Sequence, residues 1–130
     1  MRNTFVKDER LSRPGQIRTL FQEGKPVHAP GFHCRWLHAT FPEGAPAKVL
    51  ISVPKSRFPT ASRRNLIKRR IREAYRKNKS ILYEFLETAR IQIIFSIVYA
   101  PDTVMGSREI QDKIIVLLHR LRERIEKAAG

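Results

Sequence analysis

The chain has 130 residues, 42% of them apolar, with 26 Lys and Arg against 12 Asp and Glu, a net charge of +14. That length suits one domain, residues 1–130, with a real core, and the single cysteine, Cys34, excludes an internal disulfide. The opening MRNTFVKDERL has no apolar run of the signal-sequence kind, and the longest apolar stretch, 91–100, is interrupted by Gln92 and Ser96 and too short to span a bilayer, so a reducing, cytoplasmic setting without a membrane partner is expected.

Residues 1–12 are polar with scattered apolar positions and read as a flexible arm, with Phe5 and Leu11 as anchors. In residues 14–23, Ile17, Leu20 and Phe21 recur at helical spacing, behind Pro14 as a first-turn residue and ahead of Gly24 as a C-terminal cap. Residues 25–29 read as a brief strand and Pro30-Gly31 as a turn. Two strands follow, FHCRWLHAT over 32–40 and AKVLISV over 47–53, separated by PEGAP, for which a hairpin is the natural connection. A short basic loop, 54–59, leads into a cationic helix that either runs on or breaks near Ser80 and resumes through Leu86. IQIIFSIVY, residues 91–99, is apolar and β-branched enough for a buried central strand. Ile110, Ile114, Leu117, Leu118, Leu121 and Ile125 mark one face of a last helix over 107–127, with Ser107 as its N-cap. The order α-β-β-β-α-β-α gives a two-layer α+β domain, three helices on a small, mostly antiparallel four-stranded sheet.

The cationic stretch carries the function. Residues 55–79 hold eleven Lys and Arg and one acid, Glu73, which is +10 of the total charge. With Ile67 at zero and about 100° per residue, Ile71, Ala74 and Tyr75 fall on an apolar stripe, while Asn65, Lys68, Arg69, Arg72 and Arg76 fall between about 100° and 200°. One face can bury while the next presents cations, a phasing that a disordered basic tail would not need. Thr60 or Ser62 is placed to accept a backbone N–H in the first turn. Arg63 and Arg64 would sit in that turn against the helix dipole, a placement that a nearby RNA phosphate relieves. Membrane-surface helices put large apolar residues opposite the charge, whereas this stripe includes Ala74 and suits packing on a sheet.

ASRRNLIKRRIREAYR, following LISVPK, resembles the signature region of the bacterial ribonuclease P protein subunit, in which a strand and basic loop lead into a helix with an RN-R-x-KR pattern. TFVKDERL, LFQEGKPV and IIFSIVYAP resemble the same family in the same order, so the likeness covers most of the chain. Where the commonest family pattern has a second Arg after RN this chain has Leu66, and Pro54 stands where Ser is common. The resemblance implies a fold like domain 2 of ribosomal protein S5, with a left-handed β-α-β crossover around the basic helix. It also implies a role: the protein subunit of a ribonucleoprotein endonuclease that binds its catalytic RNA and the 5′ leader of precursor tRNA, assisting removal of that leader. Arg64, Asn65, Lys68, Arg69 and Arg72 match the RNA-contacting helix and Lys55 the preceding loop, and Arg57, Arg63 and Arg76 extend the same candidate surface. Ile17 and Phe21 match an apolar or aromatic pair facing the leader cleft, to which the next strand adds Arg35 or Trp36. Catalysis and its Mg²⁺ are expected to belong to the RNA subunit, with no metal bound by protein side chains alone.

The residue chemistry agrees with that division. Arg and Lys along one helical face neutralise irregularly spaced phosphates, Arg in bidentate fashion, and Asn65 can donate and accept toward a 2′-OH or base edge. Single-stranded leader calls for a cationic groove with flat side chains, for which Phe21 and Trp36 are candidates and also ordinary core aromatics. Arg70, Lys77 and Lys79 read as solvated charges as readily as contacts. Cys34 and His38 share a strand face while His33 points the other way, short of a tetrahedral metal site. His28 and His119 lack catalytic partners, and Glu84 and Glu87 read as solvated carboxylates. Composition alone would favour a structural RNA-binding protein such as a ribosomal protein, while a metal-dependent protein nuclease would need a carboxylate cluster that is not apparent.

Overall fold

The computed structural model describes Phe5, residues 7–42 and residues 44–129. After a 3-10 turn at Lys7–Glu9 come α1 (Pro14–Glu23), β1 (Lys25–Ala29), β2 (Phe32–His38), β3 (Ala47–Ser52), α2 (Ala61–Asn78), α3 (Ser80–Ala89), β4 (Ile93–Tyr99) and α4 (Ser107–Ala129). The fold is α+β as expected, with four α-helices rather than three, because the cationic helix ends at Asn78 and a new one starts at Ser80.

The sheet order is β1-β2-β4-β3, antiparallel between β1 and β2 and between β2 and β4, and parallel between β4 and β3. The hairpin expected between β2 and β3 is therefore absent: β4 lies between them. Its pattern explains why, since Ile93, Ile94, Phe95, Ser96 and Ile97 are all buried and both faces of β4 require cover. The parallel β3–β4 pair is joined through α2 and α3, which makes the basic helix the crossover element.

Alternation along the strands sends side chains to two unequal layers. Val27, Phe32, Cys34, Trp36, Val49, Phe95, Ile97 and Tyr99 form the main core with Ile67, Ile71, Leu82, Leu86 and the apolar face of α4. On the opposite face a smaller cluster joins Leu11, Leu20, Phe41 and Ile94, with Ile17, Leu37 and Leu50 packed against it. Helix α1 covers only that end of the second face and leaves His28, His33 and Pro26 exposed.

Several local signals acted through other means than those expected. Thr60 is the N-cap of α2 but makes no side-chain cap bond. Helix α4 begins at Ser107 itself, with Gly106 O accepting from Ile110 N–H. Gly24 ends α1 with extended rather than left-handed backbone, and it must be glycine for space: a Cβ there would lie 2.2 Å from Leu20 O and 3.0 Å from Arg35 Cβ. The arm is docked where it is described. Leu11 is buried and its N–H donates to Val49 O at 3.0 Å, Arg10 bridges Val49 on the outer edge of β3, and the Phe5 ring meets Tyr75 edge-on. The rest of that arm, residues 1–4 and 6, lies outside the described residues.

Candidate nucleic-acid interface

Helix α2 sits as its periodicity requires. Ile67, Ile71, Ala74 and Tyr75 are its buried residues, which turns Asn65, Arg63 and Arg69 fully outward and leaves Lys68, Arg72 and Arg76 half-buried along one flank. No acid occupies the first turn, so the dipole end of the helix and its two arginines leave a positive potential there. The cations are not equivalent. Arg64 uses Nη1 to donate to Phe58 O at 2.7 Å and Pro59 O at 2.8 Å, which ties the preceding loop to the helix and places the exposed Lys55 and Arg57 beside it. Arg76 is held in a two-point pair by Glu73, Nη2 to Oε1 at 2.6 Å and Nε to Oε2 at 3.1 Å. That bonding, with the nearby charges of Arg76 and Lys77, keeps the Glu73 carboxyl below the usual carboxylate range. Arg76 is thus partly neutralised within the helix, while Arg69, Arg63 and Asn65 face solvent. Arg70 donates to Met105 O at 2.8 Å and fixes the loop ahead of α4.

Sheet register settles the choice between Arg35 and Trp36. Trp36 points into the main core and is 2% exposed, with the Lys25 ammonium 5.2 Å over its ring, so it cannot line the second face. Arg35 does face that way: its Nη1 donates to Gly24 O at 2.9 Å, and its N–H donates to Ser96 Oγ at 3.2 Å. This anchors a cation at the C-terminal end of α1. On α1, Ile17 packs against the minor core, whereas Phe21 is 43% exposed. An exposed aromatic on a helix beside an anchored arginine and an uncovered sheet face is the composition expected of a single-strand platform.

Lys79 is the largest departure from the sequence reading. It is 2% exposed, with Nζ 2.8 Å from Glu9 Oε1 and 2.9 Å from Oε2. Tyr83 donates to the same carboxylate at 2.6 Å, and Tyr75 donates to Tyr83 at 3.0 Å. Burial pushes both tyrosine hydroxyls far above their usual range, so they remain donors. The only sequence signal was the clustering of Lys79 with two tyrosines at helical spacing, and it says nothing of Glu9.

The remaining candidates behave as ordinary residues. Cys34 is buried in the core, and desolvation raises its thiol well above the usual value. Among the described residues no group of three or more His, Cys, Asp or Glu is placed to hold a metal ion, and no helix is long and apolar enough to cross a membrane.

Comparison with known proteins agrees with this geometry. The family model Ribonuclease P matches residues 5–122. The ribonuclease P protein component of Porphyromonas gingivalis is 30% identical over 123 residues, covering 95% of this chain and 90% of that protein. The Staphylococcus aureus RNase P protein superposes with a TM-score of 0.67 at 22% identity, covering 85% of this chain and 92% of its own. The Thermotoga maritima RNase P protein gives 0.68 at 21% identity, covering 86% and 96%. With a family match running from the docked N-terminal segment into α4, this chain belongs to the ribonuclease P protein family.

Proposed function

We propose that this protein grips two RNAs with two different faces. The outward flank of α2 and the loop before it hold the catalytic RNA of ribonuclease P, and the open sheet face beside α1 holds the 5′ leader of precursor tRNA. The protein is a component of a tRNA-processing endoribonuclease. The observation that carries the residue assignment is the phasing of α2, whose apolar side is sealed while Arg63, Asn65 and Arg69 stand in solvent. Lys55, Arg57, Lys68 and Arg72 extend that surface, Arg64 organises it, and Arg76 contributes through a guanidinium shared with Glu73. Phosphate oxygens are the natural acceptors for such a row, and Asn65 adds an uncharged contact to a sugar or base. Ile17, Phe21 and Arg35 make the leader side.

The division implies where the chemistry lies. In this reading the magnesium ions belong to the catalytic RNA, whose phosphate oxygens are hard ligands suited to them. The protein lowers phosphate repulsion and adds leader contacts, effects that matter most when divalent ions are scarce. Adding the folded protein to catalytic RNA at low magnesium is expected to stimulate cleavage of precursor tRNA, while the protein alone leaves the substrate intact. A folded protein that gives no stimulation would refute the role, and specific cleavage by protein alone would favour a protein nuclease. On the leader side, Phe21→Ala is expected to weaken binding of leader-bearing substrate by about 1–3 kcal/mol, the scale of one stacked base, with little change for mature tRNA. Equal losses for both would return Phe21 to a packing role.

A further inference from the structure

A groove of about 230 Å³ runs between the N-terminal segment, β3 and α2. Its floor is apolar, from Phe5, Leu11, Val49 and Ile51, and its rim carries Arg10, Lys68 and Arg72, with no carboxylate among the described lining residues. From this we infer that the groove is a binding pocket for one unstacked nucleotide of an RNA partner, the base lying on the apolar floor and its phosphate on the cationic rim. The inference deepens the RNA-gripping role above and rests on it.

Size, charge and hydrogen bonding select that occupant. The volume falls below the roughly 300–1,000 Å³ of pockets for drug-sized ligands and suits one flat ring system. Three cations from two elements converge on it, and Arg10 is held in place because its backbone bridges Val49 and its guanidinium lies 5.3 Å over the Phe5 ring. Val49 turns its carbonyl outward to Leu11 N–H. In a strand each residue's N–H and C=O point to the same edge and alternate along the chain, so Ile51 presents its own pair to that outer edge. Among the described residues no hydrogen bond reaches the Ile51 pair. A donor and an acceptor side by side above an apolar floor match a base edge. A peptide strand would need a longer free edge, but Val49 is taken by Leu11 and β3 ends at Ser52.

Ser12 lines the groove and is exposed, so a larger side chain there fills the space at little cost to the fold. The test is base-specific chemical probing of the ribonuclease P RNA with saturating wild-type, Ser12→Phe or Ser12→Ala protein, each first checked for unchanged thermal unfolding. We expect at least one nucleotide, reactive in free RNA, to be protected by wild-type and by Ser12→Ala and to regain reactivity with Ser12→Phe. Ser12→Phe should also weaken RNA binding roughly 5- to 150-fold, the range for one stacked base. A complex that forms with no such nucleotide overturns the pocket while leaving the helix contacts standing. No complex even with wild-type protein overturns the RNA-gripping role and the pocket with it.

Discussion

Replacing Lys79 with Ala is expected to cost about 3–5 kcal/mol of folding stability, a large fraction of the roughly 5–15 kcal/mol that holds a domain together. The side chains of Lys79 and Glu9 are 2% and 4% exposed, so neither charge has water to fall back on. Glu9 receives both contacts from Nζ and one from Tyr83, and loss of the ammonium takes from a buried carboxylate the cation that contacts both of its oxygens. The penalty is the desolvation of Glu9, not the intrinsic strength of the ion pair. Accordingly Lys79→Met combined with Glu9→Leu should recover part of the loss, because it removes both charges together while taking from the Tyr83 hydroxyl the carboxylate it donates to. Urea unfolding of the two single variants and the double variant measures this directly. A single-variant cost under about 1 kcal/mol would mean the pair behaves like an exposed salt bridge.

That pair shows where sequence reasoning stops. Periodicity identified Ile67, Ile71, Ala74 and Tyr75 as the buried stripe of α2 and six apolar positions as the buried face of α4, because a 3.6-residue repeat is local information. Lys79 stands at the end of the same basic run, yet its environment depends on Glu9, seventy residues earlier in the chain. A lysine with a distant partner carries no local mark. The strand faces posed a similar problem: alternation in FHCRWLH shows that Arg35 and Trp36 point opposite ways, but only the packing of α2, α3 and α4 on one face of the sheet decides which of them meets the main core. The missing hairpin has the same origin, since the chain-adjacent strands β2 and β3 are separated by the most apolar strand of the sheet. Which residues of α2 face outward was legible from the helix itself. Their inequality was not, because Arg64 is defined by the carbonyls of Phe58 and Pro59, and Arg76 by Glu73.

This inequality determines how the cationic face should be tested. Arg64 is a poor probe, since its removal also frees residues 54–59 and confounds the loss of a phosphate interaction with movement of Lys55 and Arg57. Lys68, Arg69 and Arg72 are better: among the described residues none of the three is in an ion pair, and the one side-chain bond among them is Arg72 Nε to Lys68 O at a long 3.4 Å. Replacing all three with Ala is expected to reduce the magnitude of the salt slope of RNA binding by about 2–3, at about 0.7–0.9 for each phosphate no longer neutralised. The affinity loss should therefore be greatest in dilute salt and shrink as salt rises. Titrations across a range of monovalent salt, with unfolding curves to show an intact core, supply the measurement. Arg76→Ala serves as the internal comparison, because its guanidinium is already shared with Glu73 and its removal should change the slope by less than one full phosphate interaction. A triple variant with wild-type slope would place the row outside the interface, whereas a slope change with undiminished leader discrimination would separate RNA-subunit gripping by α2 from leader binding beside α1.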